Sequence, residues 1–539
     1  MRPIYIALVG ILLAVTAAIA AGVASGDKDA AKPVVVEKSK YLKPDDVKTS
    51  GSMRQGLMPI PYDAVAGTLV VHPKDWDDAA TDDKDAKAAG AENPTAEASM
   101  FYVAYFRKGV NPGTRPIMFL FNGGPGSSTV WLHMGAFGPK RVVTADDTHT
   151  PAAPYQLVSN NQSLLDVADL VFIDAPGTGF SRIAGKDKEK MFFGVDPDAH
   201  AFASFIKQFL SKYGRWNSPK YIFGESYGTP RASVLVNELQ TEDDIDFNGV
   251  ILLSQILNFD LDVDGAASNP GVDLPYEVAL PTYAATAWYH HKLPGKQPAD
   301  LVPFVQQVEH FAMTDYARAL SVGGSLSPKE RAAIAAKLHE YTGLPVAYIL
   351  KADLRINGGE FEKTLQDSAN MTTGRLDTRF SGPTMDPLSK EADYDPQSAA
   401  ISSAYVSGFN AYVRSDLKYG EGKTYKPEVD VFKFWSFLHK QPGAGFAFPG
   451  ATNVMPDLAS AMKYNPNLKV MVNGGYYDLA TPYYEGWYED HHLPIPPELQ
   501  KNIEYHYYRS GHMVYAHEES LKEIHDNVAA FVRATDNVK

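Results

Sequence analysis

Gly224-Glu225-Ser226-Tyr227-Gly228 fits G-x-S-x-G, the pattern of a serine nucleophile on a turn between a strand and a helix. In a chain with 42 glycines the pattern arises by chance, so its flanks decide its meaning. Tyr221 to Phe223 reads as an apolar strand leading in, and about Thr229 to Leu239 as a helix leading out. The two glycines permit a tight turn that lifts the Ser226 hydroxyl above the sheet edge, and the helix N-terminus favours negative charge nearby. A serine hydroxyl is a weak nucleophile and needs a base within hydrogen-bond reach. Among 15 histidines, position selects His512, in Arg509-Ser510-Gly511-His512-Met513 between the last strand and the last helix. With the chain order Ser, acid, His, the acid follows the preceding strand. Asp478 does so, in Asn473-Gly474-Gly475-Tyr476-Tyr477-Asp478. Its carboxylate would hold the imidazole tautomer and stabilise the imidazolium.

A tetrahedral intermediate also needs N–H donors for its oxyanion. The backbone N–H of Tyr227 is one, and the glycine loop Asn122 to Gly126 is the source of the other. That loop lacks the Gly-Lys-Ser/Thr ending of a P-loop and does not match G-x-G-x-x-G. The pairs His290-His291 and His491-His492 have no carboxylate cluster at ligand spacing, so they read as surface or packing residues. His517 reads as a residue of the terminal helix. No metal and no cofactor are expected.

The elements that position these residues alternate. Strands read at Pro116 to Phe121, Asp169 to Ile173, Tyr221 to Phe223 and Gly249 to Leu253, and again at Leu468 to Asn473 and Asn502 to Tyr508. A helix with Asp196 as N-cap and Pro197 at its first position carries Phe202, Phe205, Ile206, Phe209, Leu210 and Tyr213 at the 3.6 period. A last helix spans about Ser520 to Val532. This pattern predicts an α/β fold with a doubly wound, mostly parallel sheet. Ala66 to Val71 and Met100 to Arg107 read as a hairpin with a charged excursion, Asp75 to Ser99, at its tip. Helical patterns without strand alternation, such as Pro328 to Tyr341 and Ser398 to Tyr419, predict an inserted cap. The expected division is residues 1–25 a signal peptide, 26–55 a flexible linker, 56–265 the first part of the core, 266–440 the helical cap and 441–539 the second part of the core.

Composition narrows the function classes. The 539 residues are 45% hydrophobic and 12% aromatic, enough for a large core and incompatible with whole-chain disorder. A net charge of -14 argues against a nucleic-acid partner. The absence of cysteine excludes disulfides, thiolate zinc sites, iron–sulfur ligation and a cysteine nucleophile. Met1-Arg2-Pro3 precedes an apolar stretch, Ile4 to Ala24, with small residues near its end, which reads as an export signal. Left uncleaved, the same stretch would associate the N-terminus with a membrane. An exported chain without cysteine fits a bacterial periplasm or exterior.

In these motifs the chain resembles the serine carboxypeptidase family. Similar stretches are Phe121 to Ser128 (FNGGPGSS), Asp174 to Ser181 (DAPGTGFS), Gly224 to Gly228, the segment ending at Asp478, and Gly511-His512-Met513-Val514, in family order. The resemblance implies an α/β-hydrolase core with a cap, and removal of C-terminal residues from a peptide substrate through an acyl-enzyme on Ser226. It implies a triad of Ser226, Asp478 and His512, oxyanion donors at Gly124 and Tyr227, and binding of the substrate carboxylate by Asn122 and Glu225. Three positions depart from the family: Phe121 stands where many relatives have Trp, Ser127 where many have Cys, and Ala136 where eukaryotic members often carry a glutamate. These departures look like a bacterial branch and bear on carboxylate recognition more than on the triad. An esterase or acyltransferase on the same triad stays open, as does a binding protein on an inactive hydrolase core. Two acids can meet only if one is protonated, so the exopeptidase reading predicts peptide turnover that peaks on the acidic side.

Overall fold

The computed structural model describes residues 41–78 and 93–538. The expected signal peptide, residues 26–40 of the expected linker and most of the charged hairpin excursion lie outside the described residues.

Strands that are apolar at every position can be covered on both faces only inside a layered α/β sheet. The principal strands are β1 (Asp46–Gln55), β2 (Met58–Val71), β3 (Glu97–Arg107), β4 (Ile117–Phe121), β5 (Asp169–Ile173), β6 (Lys220–Glu225), β7 (Gly249–Leu253), β8 (Lys469–Gly475) and β9 (Ile503–Tyr508). They lie in the order β1-β2-β3-β5-β4-β6-β7-β8-β9, and the short strand Arg182–Ala184 pairs with β3 to complete a ten-stranded sheet. The steps from β1 to β5 are antiparallel, and every step from β5 to β9 is parallel. The parallel strands send alternate side chains to opposite cores. Met118, Leu120, Tyr221, Phe223, Ile251 and Leu253 enter one, and Ile117, Phe119, Ile222, Val250 and Leu252 the other. That is the period-two alternation of a pleated strand.

The helices α1 (Val195–Tyr213) and α2 (Gly228–Thr241) cover the second face. Between β7 and β8 the chain leaves the sheet and forms a helical insertion, including α3 (Leu274–Tyr289), α4 (Pro328–Thr342) and α5 (Pro396–Ser415). Its own buried cluster takes in Tyr477 and Leu479, the neighbours of Asp478, so cap and acid loop share one core. After β8 come α6 (Tyr483–His491) and, after β9, α7 (Glu518–Thr535), whose apolar face lies in the first core. This is the α/β-hydrolase arrangement. No helix among the described residues is long and apolar enough to cross a membrane.

Three local expectations are corrected. Part of the segment read as a linker is strand β1, which is polar because only Met53 of its side chains is buried; its order comes from ten paired positions along β2. Asp196 does not cap α1. The helix begins at Val195, and Asp196 instead accepts hydrogen bonds from His439 Nδ1 (2.5 Å) and the Lys440 N–H (3.1 Å). The cap also holds a two-stranded hairpin, Met371–Thr373 with Ser381–Pro383, too short for its alternation to be visible in the sequence.

The sheet edge remote from the nucleophile turn is tied by one buried ionic cluster. Asp169, at the start of β5, accepts from Arg115 Nε (2.8 Å), Arg215 Nη1 (2.6 Å) and the Arg107 N–H (3.0 Å). Asp169→Ala would leave two buried guanidinium groups unpaired, and removing one partner of a buried pair typically loses about 3–5 kcal/mol. Urea unfolding should show a loss of about that size at unchanged slope; a loss below about 1 kcal/mol would show that the cluster does not hold this edge.

Candidate active site

β6 runs straight into α2, and the chain turns between them at Ser226, whose φ of 60° is positive for a non-glycine residue. Such a conformation costs on the order of 1–3 kcal/mol and persists only where the surroundings enforce it. Here the Ser226 N–H donates to Leu253 O (2.9 Å) and the Ser226 carbonyl accepts from the Thr229 N–H (2.8 Å). Gly224 is required because an added Cβ would lie 2.1 Å from the Gly228 carbonyl oxygen. The glycine loop after β4 packs on the same turn: a Cβ on Gly123 would lie 2.3 Å from the Tyr227 nitrogen.

The imidazole is carried on the loop after β9 and the acid on the loop after β8, as adjacent parallel strands bring their C-terminal ends together. His512 Nδ1 lies 2.8 Å from Asp478 Oδ2. Asp478 is fully buried, and it accepts the N–H groups of Ala480 (2.9 Å) and Thr481 (3.0 Å) and the hydroxyl of Thr481 (2.8 Å). Burial of His512 opposes its charged form, but the charge and hydrogen bond of Asp478, helped by Glu225, outweigh this and raise its pKa above the usual histidine value. His512 shares a cavity of about 350 Å³ with Ser226, Tyr227, Gly124, Asn122 and Glu225. All seven site residues read from the sequence thus meet, six of them in the cavity wall and Asp478 directly behind His512.

Glu225 is 2% exposed. Burial pushes its carboxyl up to about 7, against the opposing pull of His512, Tyr515 and Asn122. Asn122 is held at its backbone and at one side-chain atom. Its side-chain Oδ1 accepts from the Leu132 N–H (3.1 Å), its backbone N–H donates to Thr129 Oγ1 (3.4 Å), and its backbone carbonyl accepts from Arg231 Nη1 (2.6 Å). The Nδ2 group is left to face Glu225.

Several contributors were invisible in the sequence. Arg231, paired with buried Asp198 (2.5 Å), anchors the Asn122 backbone. Ser254, at φ 55° after β7, donates its hydroxyl to the His512 carbonyl (2.7 Å). The cap hairpin loop clamps the loops that carry Asp478 and His512: the His512 N–H donates to Leu376 O (2.6 Å), the Leu479 N–H to Arg375 O (3.1 Å) and the Gly511 N–H to Asp377 Oδ2 (3.1 Å). Tyr515 donates to Glu225. None of these contacts has a local pattern that could have announced it. At the departures from the family, Phe121 is buried against Phe202, Ser127 Oγ accepts from Trp131 Nε1 (2.8 Å), and Ala136 is fully buried. His290 Nε2 donates to the cap backbone at the Thr378 carbonyl, and His491 and His492 stack on Trp487 and Tyr488. His517 stands at the N-cap position of α7. Among the described residues no group of His, Asp and Glu side chains could hold a metal ion.

Comparison with known proteins agrees with the motif reading. The family model for serine carboxypeptidases matches residues 90–293. That segment contains the glycine loop and the nucleophile turn; Asp478 and His512 lie beyond it. A serine carboxypeptidase family member of Dictyostelium discoideum is 34% identical over 138 residues, which are 25% of this chain and 30% of that protein. Serine carboxypeptidase-like 16 of Arabidopsis thaliana is 30% identical over 181 residues, 31% of this chain and 39% of that protein. A pheromone-processing carboxypeptidase of Cryptococcus gattii is 31% identical over 140 residues, 26% of this chain and 20% of that protein. The chain therefore matches well under half the length of these curated relatives. The resemblance to serine carboxypeptidases holds over this shared segment.

The tight seat of the nucleophile turn on the glycine loop yields a test. Gly123→Ala sets a methyl group against backbone atoms of Tyr227 and Gly228 that have no room to move singly. Displacing a reacting group by about 1 Å typically loses on the order of a hundredfold in rate. Ester hydrolysis by Gly123→Ala should fall about that far in kcat/KM, with circular dichroism unchanged; wild-type turnover would show that the turn is not seated on this loop.

Proposed function

We propose that this protein is a serine-type carboxypeptidase, which removes C-terminal residues from peptides through an acyl-enzyme on Ser226. The observation that carries the reading is a buried carboxyl group, Glu225, beside the amide of Asn122 in the same cavity as Ser226 and the Asp478-bound imidazole. A nucleophile and base alone suit any acyl transfer. A protonated carboxyl paired with an amide donor suits a substrate carboxylate.

In this reading Asp478 holds Nδ1 of His512, which leaves Nε2 to take the Ser226 proton as Oγ attacks the scissile carbonyl carbon. The N–H groups of Gly124 and Tyr227 receive the oxyanion. The imidazolium then gives its proton to the departing amine, and water, deprotonated by His512, releases the shortened peptide. Glu225 and Asn122 donate to the terminal carboxylate and so fix which bond lies over Ser226. The match to the serine carboxypeptidase model supports the substrate class.

Two proton demands oppose each other. Carboxylate binding needs Glu225 protonated, so it weakens as pH rises through about 7. Acylation needs His512 neutral, so it fades as pH falls through a value raised above the ordinary one. Because burial lifts Glu225 as far as it does, the window moves from the acidic side, where the sequence alone put it, toward neutrality. The apolar segment Ile4 to Ala24, read as an export signal, supports a location in the periplasm or outside a bacterial cell.

Three measurements test this. Ser226→Ala should lower kcat by about four to six orders of magnitude with the fold intact, and retention of a tenth of wild-type turnover would remove Ser226 from the mechanism. For one peptide with a free C-terminus and its C-terminal amide, KM of the free acid alone should climb as pH passes about 7, and Glu225→Gln should flatten that climb; equal cleavage of the amide at every pH would sink the exopeptidase reading. Mass spectrometry of the protein from native cells should find an N-terminus close to residues 20–25; recovery of intact Met1 would contradict cleavage.

A further inference from the structure

Glu225 has a partner that its place beside Ser226 does not require. The Tyr515 hydroxyl lies 2.9 Å from Oε2 and 3.0 Å from Oε1. A phenol has one hydrogen to give, and here it is shared across both oxygens. That arrangement suits an ionised carboxylate and fixes the plane of the carboxyl group. The ring is itself fixed. Tyr515 is buried on the short turn Val514–Ala516, and its edge lies so near Gly135 that a Cβ there would meet the ring at 2.7 Å. The Asn122 side chain acts on both groups, favouring the ionised form of Glu225 and of Tyr515.

The other titratable groups that act on Glu225 come from every neighbouring element. His512, on the loop after β9, favours its ionised form, and Asp478, after β8, opposes it. Tyr405 of α5 faces Glu225 from the cap side and is itself faced by Arg141. Among all these groups it is Tyr515 that contacts both oxygens of the Glu225 carboxyl.

We propose that Tyr515 is a positioning residue for recognition of the free C-terminus: its hydroxyl, donated across both oxygens of Glu225, favours the ionised carboxyl and so sets the pH above which the protein stops distinguishing a free from a blocked terminus. This rests on the reading that Glu225 meets the substrate carboxylate. When a carboxylate enters, Glu225 takes up a proton and presents it to the substrate, while Tyr515 keeps its bond to the other oxygen and holds the donor in line. Tyr515 therefore steadies the reader in space and limits its range in pH. Burial, which favours the neutral carboxyl, works in the other direction.

The test compares wild type, Tyr515→Phe, Glu225→Gln and the double variant. The readout is the ratio of KM for a peptide with a free C-terminus to KM for its C-terminal amide or ester, followed across pH, so that changes common to both substrates cancel. Phe keeps the ring that packs on Gly135 and removes only the donor. In Tyr515→Phe the rise in this ratio should move to higher pH by about one unit, since a hydrogen bond to the charged form is lost. In the double variant the tyrosine change should produce no such shift, because Gln does not titrate; that coupling is what a merely structural role lacks. Infrared difference spectra of the carboxyl stretch, titrated without substrate, should show the same upward displacement in Tyr515→Phe and no such band in Glu225→Gln. An unmoved ratio profile in Tyr515→Phe, with wild type still discriminating and Glu225→Gln flat, would overturn the role of Tyr515 and leave the carboxylate reading standing. A wild-type ratio that does not change with pH, or a Glu225→Gln profile like wild type, would overturn both.

Discussion

A buried imidazole between two buried carboxyl groups is the arrangement on which the rest of the site depends. Asp478 and Glu225 both bear on His512, yet their surroundings differ in kind. Asp478 accepts two backbone N–H groups and a threonine hydroxyl in addition to the imidazole. Glu225 lies in the cavity wall with the Tyr515 phenol across both its oxygens, and burial lifts it toward neutral pH. Two carboxyl groups of one chemical type thereby sit in two environments, one bonded to the imidazole and one lifted toward neutrality in the cavity wall. Separating such groups by environment is how a fold runs acid and base chemistry at one pH.

The scaffold serves this arrangement at one edge of the sheet. Parallel strands end together, so the loops after β4, β6, β8 and β9 converge without long excursions. The opposite edge carries the Asp169 cluster and no part of the cavity. The cap adds more than a cover. Its core encloses Tyr477 and Leu479, and its hairpin loop bonds to the backbone on both sides of the Asp478–His512 pair.

Much of the core was legible in the sequence because its signals are local. β5 and β7 fall where apolar runs placed them, and the strand–turn–helix around Ser226 follows from residues adjacent in the chain. The loops of Asp478 and His512 were legible for the same reason, since each sits directly after a strand. What escaped was set by distance along the chain. Tyr515 lies 290 residues from Glu225, and Ser254 lies 258 from His512. β1 escaped for another reason: its side chains are polar and mostly exposed, and only pairing with β2 makes it a strand. Asp196 was misplaced because a short acid ahead of a proline has the chemistry of a cap, while the His439 side chain that claims it is 243 residues away.

The central claim is that a substrate's terminal carboxylate fixes which bond meets Ser226. It is tested most directly by incubating the protein with a peptide of known sequence near neutral pH and reading the products by mass over time. The account predicts a ladder shortened one residue at a time from the C-terminus, with no ladder from the same peptide carrying a C-terminal amide. Fragments from internal cleavage, or equal shortening of the amide, would contradict it.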